Sequence, residues 1–174
     1  MLARLDPNAT PTITDGSGRH YRLAAAPGCA SSFRIERGGP QAAANGQLVR
    51  VTLRLASSIA DDAEFAAVVA HELAHNILRH RERLAGGRAV GLVRATEIEA
   101  DRLSVWLMAD AGYDPRAAIR FWERHPKPLI RDASHPPRRE RIAAIEAEIE
   151  AMGAARATDP RARPSLIAAL PPLE

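Results

Sequence analysis

The chain has 174 residues, 24 lysines plus arginines against 21 carboxylates, and a net charge of +3, a length that suits one compact domain able to bury a rigid site. Cys29 is its single cysteine, which excludes an internal disulfide and any zinc site built on several thiolates, so metal ligands must be His, Asp or Glu. No uninterrupted apolar run long enough to span a membrane and no signal-peptide pattern is present, and aromatics at 4% are too few to line a nucleic-acid face; a soluble chain with no nucleic-acid partner and no transmembrane segment is expected, with its compartment and oligomeric state left open.

In chain order, residues 1–28 are turn-rich, and DGSG at 15–18 suggests a hairpin between Thr12 and Leu23. Phe33 and Ile35 alternate with Arg34 and Glu36, and Val49, Val51, Leu53 and Leu55 alternate with Arg50, Thr52 and Arg54. Both stretches read as half-buried strands, with 38–46 (GGPQAAANG) as the loop between them. Asp61 with Glu64 forms a capping box that opens a helix running to about Leu84, with Phe65, Val69, Leu73 and Ile77 as its core stripe. A Gly-rich loop follows, and a second helix starts at a Thr96/Glu99 capping box or nearer Leu92. Its apolar side carries Ile98, Leu103, Val105, Leu107 and Met108, and Gly112 stops it. A third helix opens at Asp114-Pro115, and a fourth spans about Pro137 to Met152 with Ile142, Ile145, Ile149 and Met152 inward and Gly153 at its end. The Pro-, Ala- and Arg-rich residues 154–174 cannot build a core and are expected to trail or wrap over the surface. The division is therefore 1–28, a central domain 29–153, and a tail 154–174.

Within the first strong helix, residues 71–75 spell HELAH. Positions i and i+4 share a helix face, so His71 and His75 can reach one divalent ion, while Glu72 is placed to activate a water without being a ligand. A catalytic zinc needs a third protein ligand, and EIEAD at 97–101 offers one. Glu97 lies 22 residues beyond His75; helical phase alone does not exclude Glu99. Asp101, one turn after Glu97, can accept the second N–H of a zinc-bound imidazole and fix its tautomer. His20, His80 and His125 have no partner spacing and read as surface or capping histidines.

VVAHELAHNILRH, then EIEADRLS, AGYDPRAA and SHPPRRERI, in that order over roughly residues 29–152, resemble the gluzincin metallopeptidases of the HtpX and CAAX prenyl protease type, including periplasmic beta-barrel-assembly-enhancing proteases. The resemblance implies an α+β, zincin-like fold with a small antiparallel or mixed sheet on a helical core. It implies one Zn2+ per chain held by His71, His75 and Glu97, with Glu72 as general base, which decides between Glu97 and Glu99. His135 and Arg141 become candidates for contacting substrate or stabilising the oxyanion, and His135 also for capping the metal in a resting form. The implied activity is endoproteolysis of polypeptide substrates in bacterial envelope quality control, at a periplasmic or membrane-associated location. Ser104 stands where relatives often carry Gly, Ala133 departs from the usual loop before SHP, and the membrane helices of integral members are missing. Two further expectations complete the reading: the strand Leu48–Leu55 is an exposed edge that adds a peptide strand, and the competing function is a latent zinc-bound scaffold that holds polypeptides with His135 across the open position.

Overall fold

The structure, a computed structural model, describes residues 12–14, 18, 20–22, 31–124, 135–168 and 170; His125 and Ala133 fall outside them. The chain divides into two units, Met1–Ala30 and Ser31–Glu174. In the first, β1 (Thr12–Thr14) pairs antiparallel with β2 (His20–Arg22), in register Thr12 to Arg22. The expected hairpin is present, Gly18 supplies the positive φ of its turn, and His20 lies in β2.

The second unit is mixed α+β, built on a three-stranded sheet and helices. Its sheet has the order β3 (Ser32–Glu36), β5 (Leu48–Thr52), β4 (Ala42–Ala44), with β3 parallel and β4 antiparallel to β5. Two expectations change here. The segment 38–46 contains a strand, β4, and β5 stops at Thr52, where the Thr52 hydroxyl caps a short helix, α1 (Leu53–Ala56). Strand β5 is consequently the central strand, paired on both sides, and cannot add a peptide. The edges are β3 and β4, and β4 is the one that lines the cleft; there Thr52 N donates to Gln41 O at 2.9 Å and Asn45 N to Leu48 O at 3.1 Å. By antiparallel alternation, the N–H groups of Ala42 and Ala44 then point away from β5.

Helix α2 (Asp62–Ile77) starts as its sequence dictates: the Asp61 carboxylate accepts from Glu64 N at 2.8 Å. The reciprocal half of the capping box is replaced, because the Glu64 carboxylate is buried and ion-paired with Arg124. The helix ends earlier than expected, with Leu78 as C-cap and Arg79 in the left-handed region at φ 53°, and α3 (His80–Arg83) follows as a separate turn. Its contact face also differs from the expected stripe. Phe65, Val69, Leu73 and Ile77 are only partly buried, while Ala67, Ala70 and Ala74 are buried against the next long helix. Small side chains there let two helix backbones approach closely.

That next helix, α4 (Val90–Asp110), begins seven residues after Arg83 with Ala89 as N-cap. Thr96 is no cap; its hydroxyl donates back to Val93 O at 2.7 Å. The expected stop is present: Tyr113 N donates to Met108 O and Gly112 N to Ala109 O, with Gly112 at φ +82°, the double bond pattern that closes a helix on glycine. Being packed between α2 and α6, α4 is buried on more than one face, including Leu103, Val105, Trp106 and Met108. Helix α5 (Arg116–Arg124) follows Asp114, whose carboxylate accepts from Arg116 N. Helix α6 (Arg138–Thr158) runs through Gly153 instead of ending there, and buries Ile145 and Met152. Beyond it, α7 (Ser165–Ala168) brings Leu166 and Ile167, with Leu170, onto Ala74, Leu78, Ala100 and Leu103, so the segment beyond α6 wraps back over the two long helices. No helix among the described residues is long and apolar enough to cross a membrane.

Candidate active site

Helices α2 and α4 pack face to face, which brings His71 and His75 opposite Glu97. The Nε2 atoms of His71 and His75 are 3.1 Å apart, and Glu97 lies 3.6 Å from the first through Oε2 and 3.5 Å from the second through Oε1. Three ligands at about 2.0–2.1 Å from one ion in tetrahedral array would be separated by roughly 3.3 Å; with one oxygen of Glu97 taken as the ligand, the three atoms all lie within 4.8 Å of one another, close enough to converge on a single ion. Among the described residues, this is the group of His, Cys, Asp or Glu side chains that could hold a metal.

The remaining nitrogen of each imidazole also has a partner. His71 Nδ1 is 3.0 Å from Asp101 Oδ1 on the next turn of α4, and His75 Nδ1 is 2.9 Å from His80 Nδ1. With both Nδ1 atoms engaged, both Nε2 atoms face the Glu97 carboxylate, the arrangement a metal-ligating histidine takes with its supporting group, and Arg141 Nη2 lies 3.2 Å from His71 Nε2.

Arg141 on α6 packs against the ligand residues and lines the same cleft. Its Nε and Nη2 donate to the two carboxylate oxygens of Asp101, each at 2.7 Å, its Nη1 lies 3.4 Å from Glu97, and the guanidinium stacks 4.0 Å from the Trp122 ring centre. The side chain is 4% exposed. Its Nη2 also lies 3.2 Å from both ring nitrogens of His71, so Arg141 ties Asp101 and His71 together. His135 is exposed just before α6 and lines the same cleft.

The electrostatics follow from that packing. Burial and Arg141 push His71 down, but hydrogen bonds to Asp101 and Glu97 and the charge of Asp101 outweigh them, so its pKa rises from 6.5 to about 9. Burial, followed by the charge of His71, lowers His75 to about 3. Burial acts to raise Glu97, yet the hydrogen bond and charge of His71, with Arg141 and His75, hold it well below the usual carboxylate range. Asp101 is likewise lowered: burial opposes, and the charge and hydrogen bonds of Arg141 prevail. Glu72 is the exception, raised above its ordinary value by burial with a contribution from Glu97, against the charges of His71 and Arg141.

The cleft over this centre has a volume of about 980 Å³ and is walled by Ala42 and Ala44 of β4, Glu72, Phe121, Trp122 and His135. Asn76, one residue past His75, ties the β4–β5 turn to α2 by accepting from Gly46 N at 2.6 Å. Gly46, at φ +100°, allows that turn its left-handed backbone.

One sequence expectation is overturned. His80 is 1% exposed, sits beneath His75, and lies 3.0 Å from Glu99 Oε2, so it is neither a surface nor a capping residue. Its sequence spacing gave no warning because the chain leaves the α2 spiral at Arg79, a left-handed residue without the Gly or Asn that usually marks one. Glu99 faces His80 and Arg83.

The chain is 32% identical to the Mitochondrial metalloendopeptidase OMA1 of Schizosaccharomyces pombe, over 47% of this chain and 35% of that protein. It thus spans about a third of that relative's length. The family model described as Peptidase family M48 matches residues 38–92 and 82–149, the stretch that holds the sheet edge, both long helices and Arg141. With that match covering more than half of its length, the chain belongs to peptidase family M48.

Proposed function

We propose that this chain is a zinc-dependent endopeptidase of zincin-like build, holding one Zn2+ through His71, His75 and Glu97 and cleaving polypeptide substrates. The observation that carries the reading is the convergence of the two Nε2 atoms, 3.1 Å apart, with the Glu97 carboxylate, whose Oε2 and Oε1 lie 3.6 and 3.5 Å from them, the two imidazoles each supported at Nδ1. Zinc bound there supplies a Lewis acid that polarises a carbonyl and makes water more acidic.

The chain's own residues do the rest. Glu72 is one position along α2 from His71, faces the cleft, and has a carboxyl raised by burial, which suits a base that takes a proton from attacking water and returns it to the leaving amine nitrogen. Asp101 holds His71, and Arg141 holds Asp101 while lying within 3.2 Å of His71 and 3.4 Å of Glu97, so Arg141 positions the ligand side chains. The outward N–H groups of Ala42 and Ala44 give an extended peptide an antiparallel partner along the cleft. Substrates in the cell envelope remain part of this proposal.

A second reading, a latent zinc-bound scaffold, draws on the position of His135, exposed and lining the same cleft as His71, His75 and Glu97. One experiment separates the two. Purified chain should contain one zinc per molecule and cleave an unfolded protein or quenched peptide, with activity lost to a chelator and restored by stoichiometric zinc. Glu72→Gln should keep the zinc and lose at least about a thousandfold in kcat/KM. Zinc without cleavage in the parent and recovery of cleavage in His135→Ala would establish the latent form; cleavage unaffected by chelator or by Glu72→Gln would end the peptidase assignment.

A further inference from the structure

We propose that His80 and Glu99 are positioning residues that fix the tautomer and ring orientation of His75, making a two-step relay behind one ligand where Asp101 provides a single step behind the other. The inference rests on the zinc-site reading above and assigns a role to two side chains outside it.

The argument is a proton count. His75 Nδ1 and His80 Nδ1 face each other at 2.9 Å, so one of them must donate and the other must be bare. His80 Nε2 lies 3.0 Å from Glu99 Oε2, and an ionised carboxylate only accepts, so Nε2 carries the His80 proton. A neutral His80 with its proton on Nε2 has a bare Nδ1, and His75 must then donate from its own Nδ1. The lone pair of His75 is thereby confined to Nε2, the atom that faces His71 Nε2 and Glu97. Glu99 is held in place for this by Arg83, which pairs with both carboxylate oxygens.

The backbone is built to allow it. A continuous α2 would carry residue 80 round to a different face from residue 75, whereas the left-handed Arg79 turns the chain back and places the His80 ring 4.9 Å from that of His75, nearly perpendicular to it at 79°. His80 is then enclosed, at 1% exposure. A buried imidazole with both nitrogens engaged costs little, while the same ring with either one unpaired would be expensive.

The test compares zinc dissociation constants, measured by chelator competition, for the parent chain, His80→Leu, His80→Asn and Glu99→Leu. It is read together with long-range 1H–15N imidazole spectra of the zinc-loaded chains. His80→Leu should weaken zinc by about ten- to hundredfold, and His80→Asn should recover most of the loss because its side-chain oxygen can accept where Nδ1 did. Glu99→Leu should weaken zinc and leave residue 80 with mixed tautomers, whereas the parent shows the proton of His75 on Nδ1 and that of His80 on Nε2. Parent-like affinity in His80→Leu, or a parent His80 protonated on Nδ1 alone, overturns the proposal. If His80→Leu does not fold, the partly exposed Glu99 position decides: unchanged affinity in Glu99→Leu overturns it. A parent chain that binds no zinc overturns the functional reading and this inference together, whereas equal affinities across chains that do bind overturn only the inference.

Discussion

Raising the pH of the metal-free chain from 6.5 to 9 should remove a specific part of its stability. His71 has its pKa raised from 6.5 to about 9 in the fold, chiefly by Asp101 and Glu97 acting against burial and Arg141. A raised imidazole stabilises the folded state fully below its unfolded value and loses that contribution as the pH climbs through its folded value. The difference of 2.5 units, from 6.5 to about 9, corresponds to about 3 kcal/mol at roughly 1.4 kcal/mol per unit. His75 and His80 are shifted the opposite way, so their linkage acts below pH 6.5, where folding must keep them neutral, and the lowered Glu97 and Asp101 act at more acid pH still. Urea denaturation of chelator-treated protein at the two pH values measures the effect. With a slope of about 2 kcal/mol per molar, the midpoint should fall by roughly 1.5 M at the higher pH. Zinc-loaded protein should show no such fall, because binding requires a deprotonated His71, and its affinity should tighten up to about tenfold per pH unit across the same interval. A metal-free midpoint that stays constant or rises from pH 6.5 to 9 would refute the assignment of a charged His71 locked between Asp101 and Glu97.

Two other outcomes test neighbouring parts of the site. Arg141→Met should destabilise the chain by about 3–5 kcal/mol in thermal or urea unfolding, since Asp101 would be left buried without its bidentate partner; a loss under 1 kcal/mol would show that the pairing is not retained in solution. Ala44→Pro, at an edge position whose N–H points away from β5, should leave zinc content and melting temperature close to the parent while lowering kcat/KM for peptides at least about tenfold, and undiminished cleavage would remove β4 as the peptide's partner.

The chemistry was more legible in the sequence than the architecture around it. HELAH needs only helical geometry to align two imidazoles, whereas helical phase left both Glu97 and Glu99 open in EIEAD and only the family resemblance chose between them. Strand limits were harder. The alternation from Val49 to Leu55 does not stop at Thr52, and only the Thr52 hydroxyl capping α1 reveals where extended chain becomes helix. Helix α4 starts at Val90 on an Ala89 N-cap that makes no side-chain bond, close to the Leu92 start that the sequence offered and away from the Thr96/Glu99 box. Gly153 looks like a terminator, yet α6 continues past it, with Arg156 over the Trp106 ring, because packing outweighs the roughly 1 kcal/mol penalty of one glycine in a helix. The apolar stripe assigned to α2 favoured large residues, whereas the close approach of α4 selects alanine. His80 and Glu99 escaped for a related reason: their meeting depends on a backbone turn at Arg79 that no residue type announces.

The contact of Leu166, Ile167 and Leu170 with Ala74, Leu78, Ala100 and Leu103 bears on how sharply the centre is defined. Ala74 immediately precedes His75 and Ala100 immediately precedes Asp101, so these downstream aliphatics press on the reverse of the two backbones whose separation sets the ligand triangle. A coordination shell tolerates errors of only about 0.2 Å. Residues with no chemistry of their own, nearly a hundred positions from the first histidine, therefore act as a gauge block for the proposed metal centre, and loosening them would degrade its fit without touching any of His71, His75 and Glu97.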